Sequence, residues 1–120
     1  MVAILDDRPE VLEGTTYKRH TPCGNLYVTV NSTEGNPTEV LCQLGKSGGC
    51  ASAWVTTMAR VLSVALQNGV PIKKLQKQLV GVTCFNQVNT EELGCIHQIA
   101  KALEENINSS GGGDGGGASP

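Results

Sequence analysis

The sequence predicts an α+β domain: an antiparallel sheet of about three strands packed against a buried helix and two further helices. Three observations carry this prediction. Residues 16–44 place apolar side chains at every second position, residues 50–68 place them at helical spacing, and two shorter helical stretches follow glycine and proline signals. With 120 residues and 39% hydrophobic content, the chain has material for one core and not for a second domain.

The elements follow in order. A first strand is expected over Thr16–His20. In the second, Leu26, Val28 and Val30 alternate with Tyr27, Thr29 and Asn31. After the turn Glu34-Gly35-Asn36-Pro37, Val40, Cys42 and Leu44 alternate with Leu41 and Gln43 in the third. Short connections make these strands an antiparallel meander. From Cys50 to Asn68 the period becomes helical. Trp54, Met58, Val61, Leu62 and Ala65 share one side, and Ala51, Val55 and Ala59 form a second apolar edge. This helix is therefore expected to be buried over most of its circumference, with Trp54 inside. Gly69 is placed to close it.

Pro71 opens a short helix with Ile72, Leu75 and Leu79 on one face, and Gly81 ends it. A last helix runs from Glu91 or Cys95 to Ile107, with Ile96, Ile99, Ala100 and Leu103 inward. Residues 1–14 are expected to form a loosely attached arm and 15–108 the domain. Residues 109–120, SSGGGDGGGASP, have nothing to bury and are expected to be a disordered Gly-rich tail.

Charge and composition exclude several function classes. The net charge is −2, and the densest basic group, Lys73, Lys74 and Lys77, reads as one solvated helix face. With aromatic content at 3%, the chain has no stacking platform, so nucleic-acid binding is not expected. No run approaches the ~20 apolar residues of a membrane span, and Met1–Asp7 lacks the basic-then-apolar form of a signal peptide. A cytoplasmic location is expected. There the five cysteines, an odd number, would be thiols, metal ligands or redox groups in place of a disulfide frame.

The segment Leu44-Gly45-Lys46-Ser47-Gly48-Gly49-Cys50 runs from the third strand into the long helix. Gly45, Gly48 and Gly49 free the backbone to aim N–H groups at one point. The helix N-terminus adds unpaired donors, Lys46 a charge and Ser47 a hydroxyl. The pattern is a candidate phosphate site, with Arg60, Lys18 and Arg19 as candidate further cations. It is not a Walker loop, and a ligand-free strand-to-helix turn is the competing reading. A small domain gains a deep pocket by pairing, so a homo-oligomer with its ligand at the subunit boundary is expected.

Six segments then occur in a telling order: Tyr17–Asn31 (YKRHTPCGNLYVTVN), Leu44–Cys50 (LGKSGGC), Ala59–Leu66 (ARVLSVAL), Gly69-Val70-Pro71, Gly81-Val82-Thr83-Cys84 and Cys95–Glu105. Together they resemble the TSCPD-type domain found near the C-terminus of adenosylcobalamin-dependent ribonucleotide reductases and as small freestanding proteins. The resemblance spans roughly residues 8–107. The reductase's catalytic barrel, radical-site cysteine and cobalamin site have no counterpart here, so the resemblance implies a nucleotide-related module without catalysis. The namesake motif departs from the pattern. Leu93-Gly94-Cys95-Ile96-His97 keeps the cysteine but lacks the proline and the acid.

The resemblance also implies a set of four cysteines. Cys23, Cys50, Cys84 and Cys95 fall on the family's positions, with Cys42 left over. Each lies at an element boundary, and boundaries that converge would let four thiolates hold a tetrahedral Zn²⁺. Against this, no pair has the C-x₂₋₄-C spacing of a zinc knuckle, and small buried thiols are the competing reading. Cys50 and Cys95 fall in first helical turns, where thiolate is favoured. Catalysis would need a base, and His20 and His97 are near Cys23 and Cys95 in sequence alone, so no enzyme is expected.

Three functional expectations result. The first is a non-catalytic binding module for a phosphate-bearing small molecule, a nucleotide. The second is a sequestering binder of a signalling nucleotide, as small viral anti-defence proteins are. The third is a zinc-stabilised structural or interaction domain of a reductase.

Overall fold

Three antiparallel strands, β1 (Glu13–Thr21), β2 (Gly24–Thr33) and β3 (Asn36–Leu44), form one sheet in the order β1-β2-β3. A computed structural model of the chain describes residues 9–45, 49–82 and 94–110, with the backbone alone for 49–51 and 110. Both hairpins turn on two residues, since Thr21 pairs with Gly24 and Thr33 with Asn36. At the second, Glu34 and Gly35 both have positive φ, 54° and 83°. Two consecutive left-handed residues match the right-handed twist of the flanking strands. The first strand starts at Glu13, three residues ahead of the expected Thr16.

Alternation sorts the sheet into two faces. Leu26, Val28, Val30, Val40 and Leu44 are buried on one, as their period-two spacing predicted. Lys18, His20, Tyr27, Thr29, Leu41 and Gln43 lie on the other, where none is fully buried. The expected three helices follow: α1 (Gly49–Gln67), α2 (Ile72–Leu79) and α3 (Cys95–Ser110). Helix α1 packs along β3, while α3 packs on β1, β2 and α2. The core joins the sheet's inner face to Val55, Ala59, Leu62 and Leu66 of α1, Leu79 of α2, and Ile99, Ala100, Ala102 and Leu103 of α3. Each large aliphatic side chain buried there contributes about 1.5–3 kcal/mol.

Helix boundaries follow local chemistry. Gly69 N–H bonds Leu66 O at 3.1 Å and Val70 N–H bonds Ala65 O at 3.0 Å, the paired bonds of a Schellman ending, with Gly69 at φ 94°. Pro71 stands one place before α2, as its N-cap, and its carbonyl accepts Lys74 N–H at 3.0 Å. After α2, Val80 (φ −66°, ψ 133°) and Gly81 (φ 85°) make a type II turn that returns the chain. Helix α3 extends to Ser110, so Ser109 and Ser110 belong to it. The expected tail beyond them lies outside the described residues.

One expectation is overturned. Trp54 is 68% exposed and Val61 58%, so these two members of the expected inner stripe face outward, while Leu62 of the same stripe is buried with Val55, Ala59 and Leu66 against the sheet. The cause is Ser63. Its Oγ accepts Val40 N–H at 2.8 Å and lies 3.0 Å from Val40 O and 2.9 Å from Ala59 O, its acceptors. Gln67 Nε2 adds a bond to Thr38 O at 2.8 Å. The outer edge of β3 presents backbone groups that need partners, and the helix face carrying Ser63 and Gln67 supplies them.

Candidate functional site: the cysteine-bearing end

The β1–β2 turn, Thr21-Pro22-Cys23-Gly24, is organised by one buried hydroxyl. Thr21 Oγ1 donates to Gly24 O at 2.8 Å and accepts Cys23 N–H at 3.0 Å, a turn that threonine forms with its own backbone. Cys95, buried as the first residue of α3, donates its thiol to the same oxygen at 3.6 Å. Thr21 Oγ1 thus ties the backbone of Cys23 to the thiol of Cys95, from distant parts of the chain.

The described residues that flank the other two cysteines lie at the same end. Gly45 N–H bonds Asn25 O at 2.8 Å, tying the exit of β3 to the entrance of β2. The contacts Ser63 to Val40 and Gln67 to Thr38 make α1 run antiparallel to β3. Counting back from Ser63 at 1.5 Å per residue carries the helix start, with Cys50, about 20 Å toward and past the Leu44 end. Gly81 N–H bonds His97 Nδ1 at 2.6 Å, so the chain three residues before Cys84 is fastened to the first turn of α3. The Cys50 side chain and Cys84 lie outside the described residues. Among those described, no three His, Cys, Asp or Glu side chains form a metal-binding group.

Cys42, the cysteine outside the set, sits on the inner face of β3 opposite Val28. Burial there pushes its thiol from the ordinary 9.0 up to about 12. There it packs against the hydrophobic core.

The Gly-rich turn is only partly described: Lys46, Ser47 and Gly48 lie outside the described residues, while Gly49 and Cys50 form the first turn of α1. A Cβ on Gly45 would meet Asn25 O at 3.4 Å and the Tyr27 ring at 3.6 Å, so no clash demands glycine there. The candidate cations are dispersed. Arg60 is exposed on α1, about 15 Å along the axis from Cys50. Arg19 turns inward to α3, where its Nε bonds Gln98 Oε1 at 2.9 Å and a terminal nitrogen pairs with Glu105 at 2.8 Å. Lys18, its neighbour, points to the other face, opposite Tyr27. Among the described candidate cations, Lys18 alone shares the outer sheet face with Tyr27.

His97 Nδ1 accepts the Gly81 bond, which fixes the ring as the Nε2–H tautomer, and His20 lies on the outer sheet face opposite Asn25. Sequence reasoning passed over Thr21 and Ser63, which organise the turn and the helix. The readable signals were a threonine directly before Pro-Cys-Gly and a lone serine within an apolar helix face.

Among the described residues, no helix is long and apolar enough to cross a membrane. No curated protein and no solved structure matches the chain. A family model described as the TSCPD domain matches residues 3–107, nearly the whole length, and on that match the chain belongs to the TSCPD domain family.

Proposed function

We propose that this chain is a non-catalytic interaction module whose cysteine-bearing end is closed by a structural zinc ion held by Cys23, Cys50, Cys84 and Cys95. The observation that supports this reading is Thr21 Oγ1, which bonds both the Cys23 backbone and the Cys95 thiol, with the described flanks of the other two cysteines, Gly45 and Gly81, fastened at the same end. Zinc takes four thiolates in a closed tetrahedron and leaves no open position, which is a structural and not a catalytic arrangement. Ligands from four element ends would cross-link the hairpin, α1, the α2–α3 connection and α3 in a domain with a small core. The N–H groups at the starts of α1 and α3, with Lys46, are suited to offset the thiolate charge. The test is metal content with thermal unfolding. Purified protein should carry about one zinc per chain, lose stability with chelator, and lose zinc in Cys95→Ser. A folded, metal-free protein indifferent to chelator would reduce the four to packed thiols.

A second reading rests on a different observation: Gly45, where the Gly-rich segment begins, bonds Asn25 and lies near Tyr27, which pairs with Lys18 on the outer sheet face. Together with the N–H groups that the Gly-rich segment would contribute, Lys18 and Tyr27 would offer a charge and a ring to a phosphate-bearing small molecule such as a nucleotide. Binding without turnover would make the chain a sequestering protein. Calorimetry with mono-, di- and cyclic oligonucleotides tests it. Lys46→Ala and Lys18→Ala should each weaken binding by about 1–3 kcal/mol. Absence of binding tighter than about 100 μM removes the reading.

A further inference from the structure

The outer face of the sheet hides two polar side chains that alternation places in the open. Asn31 is 8% exposed and Glu39 5%, although both lie on the face opposite the buried Val30 and Val40. They share one row with Gly14, where an added Cβ would meet the Asn31 side chain. The Asn31 amide therefore spans the sheet from β1 to β3, where its Nδ2 bonds Glu39 Oε1. The next row is open: Thr16 and Leu41 are exposed and Thr29 is half-buried. The described helices pack their core residues on the inner face, so the burial of the Asn31–Glu39 row calls for another cover. A carboxylate held out of water also calls for a cation.

We propose that residues 2–8 cross the outer face as a strap over this row, with the Arg8 guanidinium pairing Glu39. Position and chemistry select this segment. Strand β1 begins at Glu13, beside Gly14, so the chain ahead of it leaves the sheet at this row. Arg8 stands before Glu13 by a reach of about 17 Å, against about 10 Å across the three strands. Pro9 holds Arg8 in the extended backbone that a strap needs. Val2, Ala3, Ile4 and Leu5 supply apolar side chains that exclude water, and Arg8 supplies a planar fork that fits a carboxylate. Asp6 and Asp7 stay in solvent. The family match starts inside this segment, at residue 3, as a strap that belongs to the domain requires. The competing segments fit less well. The residues after Gly45 and after Gly81 leave from the opposite, cysteine-bearing end. Residues 111–120 follow α3, which runs from Thr21 past Tyr17 toward this end, but they hold neither a cation nor a large apolar side chain.

Urea unfolding of the full chain in a double-mutant cycle tests the pair. Arg8→Gln should lower the folding equilibrium constant by about tenfold or more, and by about twofold at most in a Glu39→Gln background. Nuclear Overhauser spectra of the wild type test the strap without any variant. The Asn31 side-chain amide protons should contact methyl groups of Val2, Ile4 or Leu5, and in a sample mixing labelled with unlabelled copies those contacts should stay within one copy. An Arg8→Gln cost that is absent or equal in both backgrounds, a wild type lacking the methyl contacts, or contacts that run only between copies would overturn the proposal. Should Glu39→Gln fail to fold, the stability of Arg8→Gln and the wild-type contacts decide it.

Discussion

The Ser63 hydroxyl bonds both backbone groups of Val40, taking its N–H at 2.8 Å and lying 3.0 Å from its carbonyl oxygen. One side chain of α1 thereby closes the edge strand β3 at its most buried residue, and the fold's helix-to-sheet docking turns on that contact. Ser63→Ala should leave two buried backbone groups without partners and cost about 2 kcal/mol, more than an exposed serine would. Chemical denaturation of the variant measures it.

Trp54→Ala should be nearly neutral for stability, within about 0.5 kcal/mol, because the side chain is 68% exposed. Leu62→Ala, on the inner face of the same helix, should cost about 2–5 kcal/mol. Urea midpoints of the two variants decide which face of α1 is inside.

Gly14 makes room for a polar rung across the sheet. It pairs with Asn31, whose Nδ2 bonds the buried Glu39 Oε1 at 2.7 Å. A Cβ at position 14 would collide with the Asn31 side chain and the Val30 carbonyl. Gly14→Ala should therefore destabilise by about 1–3 kcal/mol, although alanine normally favours extended backbone over glycine. Thermal unfolding checks the sign.

Cys42 predicts a pH dependence. Its thiol is raised from 9.0 to about 12, so the folded chain holds that proton more tightly than the unfolded one. Its contribution to stability is complete below about pH 9 and is lost as pH rises toward about 12. Denaturation of wild type and Cys42→Ala between pH 8 and 11 should show the wild type falling more steeply, as roughly estimated from the linkage slope. Identical slopes would contradict the buried placement.

Much of the fold was legible because local rules and packing agreed. Leu26, Val28 and Val30 alternate as a half-buried strand must, Glu34-Gly35 supplies both left-handed residues of its hairpin, and Gly69 ends α1. The orientation of α1 was not legible. Its apolar residues encircle the helix, so periodicity cannot choose a face, and the choice rests on a hydrogen bond between residues 23 apart. Arg19 and Lys18 could not be separated either until the strand put them on opposite faces. The cysteine end was hidden for a related reason. Thr21 Oγ1 joins the Cys23 backbone to the Cys95 thiol, and no short spacing announces it.

X-ray absorption at the zinc edge of the purified full chain tests the central claim most directly. The proposed centre predicts a shell of four sulfurs at about 2.3 Å with no nitrogen or oxygen. Cys23→Ser should replace one sulfur by a lighter atom or lose the metal. A protein that carries no zinc above background, or a zinc bound through histidine in a mixed shell, would contradict the four-cysteine centre at Thr21.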